Sequence, residues 1–303
     1  MTDLTVLLRA LQHRLPALEL RISEPISLHT SFKIGGPADV MAFPKDGNEL
    51  SQLLILAKEN NIIPRILGAG TNVLAPDEGI SGLVICLKDC LNGMELLDEQ
   101  TIRVYGGVTM TRAAVFAANH GLAGLEFAHG IPGTVGGGVY MNAGAYGGEM
   151  CMVCKSVDVM SMDGVVQTIP GEQMGFSYRH SRLEEEGGIV VSALFALTKD
   201  DPDAIRGRMQ ELMNKRKTSQ PLDLPSAGSA FKRPVGGYAA ALIDQAGLKG
   251  YQIGGAAVSS KHAGFVVNID NATAADVRKL LTSVSDIVFE RSGIRLEPEV
   301  RIW

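Results

Sequence analysis

Apolar residues at Leu4, Leu7, Leu8, Leu11 and Leu15 recur at the three-to-four spacing of one helix face, which predicts a helix over residues 2–15 capped by Thr2 or Asp3. Gly35-Gly36-Pro37 then stops any regular element before a strand at 40–43. Leu50, Leu53, Leu54 and Leu56 mark an amphipathic helix over 48–60, and it leads into a strand at 64–67. Strands at 82–87 and 102–105 follow, then a helix at 111–120. Farther on, short β-branched runs at 157–159 and 165–166 flank Asp163-Gly164, a dipeptide suited to a tight hairpin turn. A strand at 189–197 and a helix at 202–217 come next. The last third predicts a helix at 239–246, strands at 252–258 and 265–269, a long helix at 274–291 and a final strand from 300. Helical and strand periods alternate across short connections, which means mixed α and β domains.

Two stretches resist this patterning. From His129 to Gly148 the chain reads His-Gly-Ile-Pro-Gly-Thr-Val-Gly-Gly-Gly-Val-Tyr-Met-Asn-Ala-Gly-Ala-Tyr-Gly-Gly. Glycine is unfavourable in regular structure and is used where the backbone turns left-handed or where another group lies close. A flexible linker would carry Ser and Pro instead of Ile131, Val135, Val139, Tyr140 and Tyr146. The expectation is an ordered, bare backbone with something large against it, its N–H groups available to an anion. The second stretch, Gly68-Ala69-Gly70-Thr71-Asn72, ends a strand in a turn whose hydroxyl and amide can bond a phosphate. It lacks the third glycine and the following helix of a dinucleotide fingerprint, and no Walker A sequence is present.

Composition adds limits. The chain has 303 residues, 46% hydrophobic and 20% charged, enough for two or three domains with cores of their own. A net charge of −5 is the wrong sign for a nucleic-acid partner, and no apolar run is long enough to span a membrane. Asp3 precedes the first short apolar run and Arg9 interrupts it, which is wrong for a signal peptide, so a cytoplasmic protein is expected. Cys86, Cys90, Cys151 and Cys154 fall in two close pairs, but in strand-like surroundings without the turns of a zinc knuckle. They are expected to be free structural thiols, with no metal site.

Three polar clusters are candidates for chemistry. Tyr178-Arg179-His180-Ser181-Arg182 brings guanidinium groups to a turn, suited to a carboxylate or phosphate, with a solvated charged loop as the plain alternative. The segment 216–234 has prolines, small hydroxyl residues and flanking cations, and reads as an ordered loop running past an anion. Near the end, Glu297 and Glu299 enter an apolar strand, where a partly buried carboxyl would have a raised pKa and a surface acid is the default.

In their order and spacing, residues 31–39, 68–74, 130–148, Tyr178-Arg179, 226–232 and 297–301 resemble the UDP-N-acetylenolpyruvoylglucosamine reductase family, over nearly the whole chain. The resemblance implies an α+β protein with the FAD-binding fold of the vanillyl-alcohol-oxidase / p-cresol methylhydroxylase type. That fold would have two α+β subdomains, residues 1–90 and 91–205, with 298–303 returning to the first. A C-terminal α+β substrate-binding domain would span 206–297. It implies non-covalent FAD held by Ile34, Gly68, Ala69, Gly70, Thr71, Asn72, Leu74, Gly133, Thr134, Gly136, Gly137, Asn142 and Gly144. Arg179, Ser229 and Glu299 match the family's catalytic positions, and Glu297 does not. Tyr178, Arg216, Lys217, Gln220 and Lys232 would bind the substrate. The segment between Arg179 and Ser229 lacks the long tyrosine-bearing loop, as in the shorter subtype, and Arg233 stands where many relatives have asparagine. The implied activity is NADPH-dependent reduction of a UDP-linked enolpyruvyl amino sugar by a cytoplasmic monomer. Hydride would go to C3, Arg179 and Glu299 would stabilise the enol-like intermediate, and Ser229 would protonate C2. The alternatives are another FAD oxidoreductase of this fold acting on a hydroxy acid or sugar, or a non-catalytic nucleotide-binding module.

Overall fold

A computed structural model describes residues 3–303. A four-stranded sheet has the order Glu19–Pro25, Pro37–Phe43, Ile80–Cys86, Arg65–Leu67, its last pair parallel. A five-stranded sheet runs Val166–Pro170, Cys154–Met160, Ile189–Ala196, Thr101–Tyr105, Met94–Leu96, antiparallel throughout. A second four-stranded sheet has the order Ser226–Ser229, Phe265–Asn268, Ala256–Val258, Gln252–Ile253. The chain divides into two compact units, the first made of Met1–Ile22, Val40–Ala69 and Gly82–Asn214, the second of Ser23–Asp39, Gly70–Ser81 and Lys215–Trp303.

The first unit holds two apolar clusters. In one, Leu7 and Leu11 of the helix Asp3–Arg14 and Leu50, Leu53 and Leu54 of the helix Gly47–Glu59 are buried with Val40, Leu83 and Ile85. Burying each leucine contributes about 1.5–3 kcal/mol, so the expected faces hold these helices. The Thr2 half of the expected cap lies outside the described residues. Asp46 caps the second helix by accepting from Glu49 N. The other cluster packs Ile102, Val104, Val157, Ala193 and Phe195 of the five-stranded sheet against the helix Met110–Asn119 and the short helix Val135–Tyr140. The hairpin at Asp163-Gly164 forms as expected, with Met160 opposite Val166 and Gly164 at φ +78°.

The short helix departs from the patterning, because three successive glycines cost about 1 kcal/mol each relative to alanine in a helix. Packing overrides that cost. Val135 and Val139 are fully buried, and a Cβ on Gly138 would lie 2.7 Å from Met110 Sδ. The strand Glu19–Pro25 is also unforeseen. It is an edge strand with no buried residue, so it lacks a core-facing alternation.

In the second unit Val277, Leu280, Leu281, Val284 and Val288 line the buried face of the helix Ala274–Ser292 and pack with Ile243, Val258 and Val266. The expected strand at 252–258 is two strands. Gly254-Gly255 forms a two-residue turn that sets Gln252 opposite Ala257, with Gly254 at φ +54°, where a Cβ would strike the Asp276 carboxylate. That carboxylate belongs to a capping box: Thr273 Oγ1 accepts from Asp276 N at 3.0 Å and Asp276 Oδ2 accepts from Thr273 N at 3.0 Å. Asp77 adds a second cap, its two oxygens accepting from Ala274 N and Ala275 N at 2.7 and 3.0 Å.

Thr273→Ala is expected to destabilise the fold by about 0.5–2 kcal/mol, read from denaturant unfolding at neutral pH. The backbone bonds from Thr273 and Gly255 hold Asp276 below the usual carboxylate range. A depressed folded pKa means that its contribution is complete above about pH 4, the unfolded value, and is lost as pH falls through the folded one. Asp276→Asn should therefore lower the melting temperature at pH 7 and narrow its gap to the parent protein in acid.

Candidate active site

Within the first unit, Arg179 sits on a tight turn. Ser177 and His180 exchange backbone bonds, 3.1 Å from Ser177 N and 3.2 Å from His180 N, leaving Tyr178 and Arg179 as the two turn residues. Arg179 has φ +57°, a left-handed conformation that costs a residue with a Cβ about 1–2 kcal/mol. Surrounding bonds hold it there. Ser181, fully buried, donates from Oγ to Tyr140 O at 2.6 Å, and Arg182 N donates to Met174 O at 2.8 Å. Arg179 Nη2 donates to Gly144 O at 3.0 Å, and its guanidinium lies 5.0 Å from the centre of the exposed Tyr178 ring. The solvated-loop alternative is therefore set aside: the turn is pinned, and Arg179 is half-buried. Asn142 is 1% exposed and bonds both Glu149 and the Ser177 carbonyl.

The glycines divide by cause. In the first unit a Cβ on Gly144 would lie 2.6 Å from Glu149 Cγ and from Gly148 O across a small hairpin. In the second, a Cβ on Gly70 would strike His29 O, and Gly70 has φ +62°. The protein's own chain requires both, and at Gly144 this corrects the expectation that a large bound group accounts for the whole glycine run. Gly137 differs. A Cβ there would meet only Thr134 Oγ1, at 3.6 Å, so the protein itself leaves the approach open. Gly133 lies at φ +125°, and the Thr134 hydroxyl caps the short helix by accepting from Gly137 N at 3.3 Å.

Within the second unit, Ser229, Asn72 and Glu299 come together through the main chain. Between Ser226 and Ser229 the strand register shifts: Ser226 faces Val267 and Ser229 faces Phe265, so three steps on one strand match two on the other. Gly228, at φ +76°, absorbs the extra residue, and the bulge leaves Ser229 exposed at the strand end. Ala230 O accepts from Glu299 N at 2.9 Å, and Glu299 O accepts from Asn72 Nδ2 at 3.3 Å. Phe231 bridges Pro298, and Lys232 N donates to Glu297 O at 2.8 Å. Glu299 is half-buried and Glu297 exposed, with Lys232 Nζ 3.7 Å from the Glu297 carboxylate. Arg216 is buried near the end of the helix Pro202–Ser219, Lys217 is exposed and Gln220 is half-buried. Ile34 and Leu74 are core side chains, so any ligand contact from them is through backbone.

All four cysteines are free, and burial pushes the Cys90 and Cys154 thiols up to about 12. Among the described residues no three His, Cys, Asp or Glu gather as metal ligands, and no helix is long and apolar enough to cross a membrane.

Residues 38–170 match the FAD binding domain family, and residues 220–303 match the C-terminal domain of UDP-N-acetylenolpyruvoylglucosamine reductase. The reductase of that name from Latilactobacillus sakei is 45% identical over 287 residues, covering 94% of this chain and 93% of the relative. The chain belongs to the UDP-N-acetylenolpyruvoylglucosamine reductase family. A Streptococcus pneumoniae reductase is likewise 45% identical, over 95% of both chains. The solved UDP-N-acetylenolpyruvylglucosamine reductase from Thermus caldophilus superposes with a TM-score of 0.78 at 36% identity, covering 94% of this chain and 98% of that one. The protein therefore has the reductase family's α+β architecture, an FAD-binding domain followed by the family's C-terminal domain.

The first unit fits a flavin dinucleotide as this family membership requires. Gly137 is open to a close approach, and next to the glycine run His129 Nδ1 is buried without a hydrogen bond among the described residues. A buried polar atom of that kind calls for a partner. The glycine run and the Tyr178-Arg179 pair were legible in the sequence. The parts that hold them, Glu149, Ser177 and Ser181, were not, and neither was the bulge at Gly228 that presents Ser229. The one available signal was a glycine directly before Ser229 in an otherwise strand-compatible run.

Proposed function

We propose that this protein reduces UDP-N-acetyl-3-O-(1-carboxyvinyl)-glucosamine to UDP-N-acetylmuramate with NADPH and bound FAD, a step in making peptidoglycan precursors. The observation that carries the reading is 45% identity to curated reductases along nearly the full length of both chains. When bound, FAD supplies the hydride chemistry that no side chain can. The chain's residues supply the rest. Gly68, Ala69, Gly70, Thr71, Asn72, Gly133, Thr134, Gly136 and Gly137 hold the cofactor. Arg179 grips the substrate carboxylate with its planar fork, so that negative charge arriving there is met by a donor already in place. Glu299, half-buried and with its backbone bonded to Ala230 and Asn72, is the second residue assigned to stabilising that charge. Ser229 gives its hydroxyl proton to C2. A hydroxyl is a weak acid, but a carbanion-like carbon is a strong base, and position makes up the difference. Tyr178, Arg216, Lys217, Gln220 and Lys232 bind the nucleotide-linked sugar. The same reading places the protein in the cytoplasm, because NADPH and nucleotide-linked sugars are cytoplasmic compounds, and takes it to be a monomer. It also assigns residues 1–90 and 91–205 to the cofactor and 206–297 to the substrate.

The cofactor is expected to be held without a covalent bond, since glycine, threonine and asparagine offer no attachment chemistry. Purified protein should be yellow, and acid precipitation should leave the colour in the supernatant; colour on the pellet would contradict this. The reading is tested by anaerobic mixing. NADPH should bleach the protein and the enolpyruvyl nucleotide should restore its colour, whereas UDP-N-acetylglucosamine, which lacks the double bond, should not. Colour returning equally with both would overturn it.

A further inference from the structure

We propose that Asn142 is a positioning residue that sets the Arg179 guanidinium, and that it is not a ligand of the cofactor. The proposal rests on the role given to Arg179 above. Asn142 is 1% exposed, and its amide is fully committed: Nδ2 donates to Glu149 Oε2 at 3.0 Å and to Ser177 O at 2.9 Å, while Oδ1 accepts from Cys151 N at 2.9 Å. Two acceptors face the nitrogen and a donor faces the oxygen, so the amide has one sensible orientation and both its hydrogens are used. No donor remains for a phosphate oxygen.

The bonds have a direction. Tyr140 and Asn142, two residues apart where the short helix ends, hold Ser181 and Ser177, which stand two residues to either side of Arg179. Arg179 completes the ring by donating to Gly144 O, in the hairpin whose Glu149 receives the Asn142 amide. Three residues with side chains in this ring take left-handed backbone: Asn142 at φ +46°, Tyr146 at +53° and Arg179 at +57°. Such conformations persist only where their surroundings over-determine them, and they cluster where geometry serves function. Asparagine is among the few side chains at ease there. Removing its amide releases Ser177 O and Glu149 together. The turn then loses the bond that fixes its entry, and the guanidinium loses its aim.

Asn142→Gly tests this, because glycine accepts φ +46° and the substitution removes the brace without adding backbone strain. FAD content and FAD affinity of the refilled apoprotein should equal those of the parent, and bleaching by NADPH should be unchanged. Recolouring by the enolpyruvyl substrate should slow roughly 10²-fold, the usual scale for a reacting group displaced by about 1 Å. In an Arg179→Lys background Asn142→Gly should add almost nothing, since it acts through the arginine. Reduced FAD affinity, equal slowing of both half-reactions, or full additivity with Arg179→Lys would each overturn the proposal. If Arg179→Lys alone leaves recolouring intact, the reading of Arg179 fails instead. Should the glycine variant not accumulate as folded protein, Asn142→Asp keeps the size and the bond from Cys151 N while losing both donors. It is put through the same cycle with the same deciding outcomes.

Discussion

Ser229→Ala is expected to separate the two half-reactions. NADPH should bleach the bound flavin at nearly the parent rate, because that step needs only the cofactor's own alignment. Recolouring by the enolpyruvyl substrate should fall by about 10²- to 10⁴-fold, the contribution of a positioned general acid. The structure makes this a local change. Ser229 is exposed at the end of a bulged strand, and what positions it is backbone: the left-handed Gly228 before it and Ala230 after it, whose N–H donates to Gly264 O at 2.8 Å. None of these is lost with the hydroxyl. Water entering the vacated space would restore part of the rate, and Ser229→Cys, which keeps a donor, should be intermediate. Stopped-flow absorbance reads both steps. Equal slowing of the two would make Ser229 a residue that shapes the pocket, and the proton-donor role would be withdrawn.

Arg179→Lys should be nearly as damaging, although it conserves charge. An ammonium is a point donor and cannot hold two carboxylate oxygens in one plane. Loss of one preorganised donor to developing charge costs about 10²–10³-fold in kcat. Lysine would also lose the bond that Nη2 gives Gly144 O, so the φ +57° turn would have one restraint fewer. FAD content should stay at one per chain and bleaching by NADPH should be normal, with the loss confined to substrate reduction. Parent rates in the lysine variant would remove Arg179 from the catalytic set.

The elements legible in the sequence were those whose apolar spacing answers to a core. Leu7 and Leu11, and Leu50, Leu53, Leu54 and Leu56, are buried on the helix faces their spacing indicated. Illegible elements were those held by partners distant in sequence. The helix Val135–Tyr140 runs against three glycines, and Met110, the buried Val135 and Val139 and the Thr134 cap explain it. The glycines show the same divide. Their density was correctly read as a demand for bare backbone, but at Gly70 the demand comes from His29 and at Gly144 from the facing hairpin strand. Arg179 and Ser229 could be named as candidates because they match catalytic positions of the family the sequence resembles. Their precision could not, because it comes from an asparagine amide 37 positions before Arg179 in one case and from a one-residue bulge in the other.

The central claim, reduction of the enolpyruvyl double bond by NADPH, is tested most directly by product stoichiometry. Purified protein, NADPH and the UDP-linked enolpyruvyl sugar are combined without oxygen, and NADPH loss is followed by absorbance and the nucleotide by mass spectrometry. One NADPH should disappear for each nucleotide that gains two hydrogens, and the product should be UDP-N-acetylmuramate. NADPH consumed with the nucleotide unchanged in mass, or no consumption by yellow and folded protein, would contradict the account.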